Sequence, residues 1–92
     1  MRLVHVTFRF EYTDAIERIL DQHDVTDWVR YAMIEGRDRD GKHDGSQVYP
    51  GNMVALQALV PSARVDAVVE GLREFRDAKR AHAHVRVVVL PA

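Results

Sequence analysis

The chain changes character at Glu35 and again at Asn52, and the stretch between those points limits the folds open to it. EGRDRDGKHDGSQVYPGN is polar, divides two apolar runs and is too long for a simple turn. It carries four of the chain's five glycines, Gly36, Gly41, Gly45 and Gly51, which suits a backbone that bends repeatedly. Arg37, Arg39 and Lys42 are offset by Asp38, Asp40 and Asp44, so the stretch is not a polyanion-binding tail. A long hairpin with a polar tip and a functional loop over 36–51 both fit. Whatever fold forms must be a small scaffold that presents this segment.

The 92 residues, 47% of them hydrophobic, suffice for a single domain, 1–92, with one core. A domain this small buries a limited share of its surface, so association with other chains is expected. A formal net charge of -1 supplies no general attraction to nucleic acid or an anionic membrane, and any anion site must be local. Without cysteine, disulfides, thiolate metal sites and thiol nucleophiles are excluded. Strand-like alternation begins at once, in place of the basic and apolar regions of a signal peptide. No apolar run approaches the roughly 20 residues of a transmembrane helix. The expectation is a cytoplasmic protein with no transmembrane segment and no nucleic-acid partner.

From Arg2 to Phe10, Val4, Val6, Phe8 and Phe10 alternate with Leu3, His5, Thr7 and Arg9, predicting a strand with the first set facing the core. Thr13 is the expected N-cap of a short helix carrying Ile16, Ile19 and Leu20 and ending near His23. Trp28 to Ile34 is apolar on both parities and predicts a second strand covered on both faces. Asn52 to Val60 repeats that pattern. Pro61 and Ser62, with Ser62 as the expected cap, open a helix whose stripe is Val65, Val68, Val69, Leu72 and Phe75. Arg73, Arg76, Lys79 and Arg80 crowd its end, as a solvated helix terminus also would. His84 to Leu90 is β-branched and reads as the last strand.

Strand, helix, strand, strand, helix, strand predicts an α+β fold of the ferredoxin-like βαββαβ kind, a four-stranded antiparallel sheet with both helices on one face. Leu3, Ala55 and Leu59 would then lie on the opposite, open face. Another subunit must cover them.

The run GKHDGSQVYPGNMVALQALVP, the helix RVDAVVEGLREFR and the closing strand VRVVVLP resemble the PII-like signalling proteins, small relatives of the nitrogen-regulatory PII proteins. The resemblance follows the element order of nearly the whole chain, with its motifs between Gly36 and Pro91. It implies a homotrimer with sheets facing inward, a long loop between the second and third strands that reaches a partner protein, and clefts between subunits that take an adenine nucleotide. In this sequence the ligand-binding set would be Gly36, Arg37 and Lys42 from the loop, with Lys79, Arg80 and Arg86 supplying charge to phosphate. The nucleotide-binding relatives have a glycine-rich turn after the second helix; here that segment is RDAKRAHAH.

Catalysis has little to stand on. Ser46 and Ser62 have no histidine at a suggestive spacing, and the acids are scattered, so no enzyme is expected. A small dimeric α+β-barrel enzyme with paired sheet faces is the alternative that a dimer would favour. His5, His82 and His84 form a rival site: if the last strand begins early, the latter two share a face beside His5, and three imidazoles near a subunit contact could hold a divalent metal. The CutA proteins, trimers of the same element order linked to metal tolerance, make this a divalent-metal-responsive alternative. Equally, the three are ordinary polar residues at an edge or interface.

Overall fold

The computed structural model describes residues 1–34, 36–38, 41–43 and 53–92, with side chains at 1–32 and 53–92. Its strands and helices run β1 (Arg2–Arg9), α1 (Thr13–Gln22), β2 (Trp28–Ile34), β3 (Gly36–Asp38), β4 (Gly41–His43), β5 (Met53–Val60), α2 (Val65–Ala78) and β6 (Arg86–Pro91). The main sheet has the order β2-β5-β1-β6 with antiparallel pairings throughout, the ferredoxin-like order expected. Both helices pack on one face.

The period-two pattern of β1 and β5 builds the core. Val4, Val6 and Phe8 stand opposite Ala58, Leu56 and Val54, all buried, and meet Ile16 and Leu20 of α1 and Val65, Val68 and Leu72 of α2. The helical stripe falls where its 3.6-residue spacing puts it. Fully burying side chains such as Phe8, Leu56 and Leu72 stabilises the fold by about 1.5 to 3 kcal/mol each. One close approach depends on a missing side chain: a Cβ on Gly71 of α2 would sit 3.1 Å from Cε1 of His23 and 3.3 Å from Cγ2 of Ile19. Glycine thus lets the helices come together there.

Several boundaries depart from expectation. Phe10 is 55% exposed and opens a 3₁₀ turn, because the pairing that sustains β1 ends at Arg9 opposite Met53. Tyr12 turns inward in its place. Thr13 is the first helical residue and not the N-cap of α1; it closes the 3₁₀ turn instead, its hydroxyl donating to the carbonyl of Phe10 at 2.6 Å. Ser62 makes no capping bond either, lying in a 3₁₀ turn with its Oγ 3.3 Å from the terminal amine of Met1. Val29 and Tyr31 are exposed, so β2 within one chain is covered on one face only. The segment after β2 is also not one continuous loop in its first half. β3 and β4 pair as an antiparallel ribbon with Gly36 opposite His43, Arg37 opposite Lys42 and Asp38 opposite Gly41. The rest of the expected 36–51 loop, including Gly45 and Gly51, lies outside the described residues.

Candidate functional site

The topology gathers the basic residues at one end of the sheet. Arg9 closes β1 opposite Met53, which opens β5 and also pairs with Ile34 at the end of β2. Arg86 opens β6 opposite Thr7, close to that same end of β1. The β3–β4 ribbon with Gly36, Arg37 and Lys42, the α2–β6 connection with Lys79 and Arg80, and Arg86 therefore emerge on one side. β2 and β6 are opposite edges of the sheet, three strand spacings of about 4.8 Å or roughly 14 Å apart, and the two basic groups follow from those two edges.

Residues 79–85 adopt a definite conformation without glycine. α2 ends as Lys79 becomes extended, and a 3₁₀ turn over Arg80–His82 follows, held by backbone bonds from His82 to the Lys79 carbonyl at 3.0 Å and from Ala83 to Arg80 at 3.1 Å. A helix terminus leaves its last carbonyls without partners. Here the buried imidazole of His82 supplies one, its Nδ1–H donating to the carbonyl of Phe75 at 2.8 Å. The same ring stacks on Phe75 at a centroid distance of 4.0 Å and meets the edge of Tyr12 at 4.6 Å. Tyr12 also packs edge-on against Phe75 at 5.8 Å, closing an aromatic plug under the connection.

His84 makes the second attachment. The backbone amide of Arg9 donates to its Nε2 at 3.0 Å, and its Nδ1 donates to the carbonyl of Ala81 at 3.0 Å. An amide can only donate and a carbonyl only accept, so the ring is neutral with its proton on Nδ1. Burial pushes the His84 imidazole below the usual histidine range, and the Arg9 guanidinium pushes the same way. Lys79 and Arg80 are exposed on this anchored segment.

The histidine trio does not assemble. The last strand begins at Arg86, so His82 and His84 precede it and neither takes a strand position beside His5. His5 lies on the open sheet face, where the Gln57 side-chain amide donates to its Nδ1 at 3.2 Å. Among the described residues no group of three or more histidines, cysteines or carboxylates is placed to hold a metal ion. Sequence reasoning passed over the pairing of His82 with Phe75 and of His84 with Arg9. One signal pointed to it: a helix without a following glycine must end by another device, and RAHAH supplies ring donors.

No family model matches the sequence, and no curated relative does. Solved structures do match in fold. CPII, a nitrogen regulatory PII-like protein from Thiomonas intermedia K12, bound to ADP, AMP and bicarbonate, superposes with a TM-score of 0.78 at 18% identity, covering 96% of this chain and 81% of that one. CPII with ADP and bicarbonate gives 0.77 at 18% identity over 96% and 81% of the two chains. The apo form of CPII gives 0.70 at 17% identity over 97% and 87%. The chain has the fold of these PII-like proteins.

Proposed function

We propose that this protein is a trimeric, non-catalytic sensor that binds a small anionic ligand, most simply an adenine nucleotide, between subunits and signals to a partner protein through the 36–51 segment. The observation that carries this reading is the convergence of two basic groups on one end of a PII-like sheet. Because Arg37 and Lys42 sit at one edge and Lys79, Arg80 and Arg86 at the other, a ligand touching both groups takes them from two neighbouring chains. The ribbon register adds support. Arg37 directly opposite Lys42 is a like-charge pair, which disfavours the ribbon in water and which a bound anion would relieve. That CPII binds ADP, AMP and bicarbonate on the same fold is consistent with such a ligand. An anion that stabilises the ribbon would couple occupancy to the shape of the 36–51 segment.

Native mass spectrometry with and without ADP tests the assembly and the ligand together. The expected species is three chains, gaining ADP, with the gain lost in a Lys79→Ala, Arg80→Ala double variant. A dimer, or an ADP adduct indifferent to both substitutions, would overturn the reading.

A further inference from the structure

We infer that the connection between α2 and β6 is a pH-sensitive latch, held shut on the end of β1 by neutral His84 and released when that imidazole is protonated. The segment has two attachments of different kinds. His82 donates through Nδ1–H to the Phe75 carbonyl, a bond that both the neutral and the protonated ring can make. His84 bridges in the opposite sense, because its Nε2 must accept from the Arg9 amide while Nδ1 donates to Ala81. An imidazolium carries a proton on each nitrogen. It would turn a second N–H against that of Arg9, and the bond joining residues 75 positions apart would be lost.

The groups around His84 set the direction. Burial and the Arg9 guanidinium of β1 oppose its protonation, as does a charge on His82 of the same connection, whereas the hydrogen bond to the Ala81 carbonyl and, less, the Glu11 carboxylate of the following turn favour it. The ring of Tyr12 lies 5.6 Å away, tilted by 31°. Arg86 follows two residues later in β6. The balance favours the neutral ring, so the latch is closed at neutral pH. With a folded-state midpoint below the unfolded one, the stabilisation is fully present above about 6.5 and is lost as pH falls toward the folded midpoint.

The consequence for binding rests on the proposed role of Lys79 and Arg80. Those two cations sit on the latched segment, and opening it would remove their fixed position. The change would lower affinity for an anion under the very conditions that add positive charge to the connection.

The test follows the Arg9 amide and the His84 ring by NMR across a pH titration of the intact chain, alongside His84→Gln, whose side-chain oxygen can accept from Arg9 without titrating. In the wild type the protection of the Arg9 amide should fall as pH drops from about 6.5 toward the His84 midpoint, by up to about tenfold per pH unit, and level off below that midpoint. In His84→Gln the protection should be independent of that midpoint. An Arg9 amide that ignores the titration of His84 would overturn the latch, as would a His84 midpoint above the ordinary histidine value. ADP calorimetry at both ends of the titration separates the two ideas. Affinity that falls with the same midpoint supports the coupling; no ADP binding at either pH defeats the ligand reading, and the Arg9 amide still decides the latch.

Discussion

His82 shows how much one side chain does where a glycine is missing. Its N–H satisfies a helix-terminal carbonyl and its ring completes the stack between Phe75 and Tyr12. Two substitutions separate those roles. His82→Phe keeps a ring of similar shape but leaves the Phe75 carbonyl without its donor, and should cost about 1 to 3 kcal/mol. His82→Ala also removes the ring contacts and should cost about 1 kcal/mol more. Urea denaturation at neutral pH measures both, and wild-type stability in His82→Phe would mean that the carbonyl is satisfied some other way. At this scale the sequence was informative about residue type and poor about partners. Lys79, Arg80 and Arg86 were found as charges near a helix end and a strand start. The rival metal reading put the histidines on a strand face because their true partners, a carbonyl of Phe75 and an amide of Arg9, are backbone groups that leave no trace in side-chain pattern.

The elements were legible wherever apolar spacing governs them and uncertain where chain geometry does. β5 and α2 fall where their periods put them, since a shifted register would turn Val54, Leu56, Ala58 and Val60 out of the core. β1 stops one residue early, although the alternation continues through Phe10, because pairing and not hydrophobicity sets its end. The β3–β4 ribbon was legible only as one of two readings, a long hairpin or a loop, for the opposite reason: its sequence carries no apolar alternation. The end of α1 came out as expected near His23, by a definite mechanism. The Val25 amide bonds to the Leu20 carbonyl at 2.9 Å and the Asp24 amide to Asp21 at 3.1 Å, with Asp24 at a φ of 57° and Val25 buried. This is a Schellman ending with an aspartate where glycine is usual. Asp24→Gly, which removes the Cβ strain of the left-handed conformation, should stabilise the protein by about 0.5 to 1 kcal/mol. A lower melting temperature in that variant would show that the carboxylate contributes something the backbone geometry does not reveal.

At the scale of the whole molecule, the face of the sheet away from the helices is the largest feature the single chain leaves unexplained. The registers lay it out in rows: Leu59, Leu3 and Leu90; then Val29, Gln57, His5 and Val88; then Tyr31, Ala55, Thr7 and Arg86. Val29, Tyr31 and Leu90 are 53%, 49% and 44% exposed, although β-branched, aromatic and aliphatic side chains in such continuity belong in a core or an interface. The His5–Gln57 pair satisfies polar groups in the middle of that face, as a surface destined for burial requires. Leu59 discriminates between a free and a covered face because it is 37% exposed in the isolated chain. A glutamate there would remain solvated in a monomer and cost little. Against a neighbouring subunit it would be a buried unpaired charge, costing several kcal/mol per contact and multiplied by the symmetry of the assembly. The expected outcome is that the wild type sediments at three chain masses at micromolar concentration, while Leu59→Glu sediments as one chain or loses cooperative unfolding. A wild type that sediments as a single chain, with Leu59→Glu unfolding at the same urea concentration, would mean that the open face stays in water and that the two basic edges of the sheet never meet across a subunit boundary.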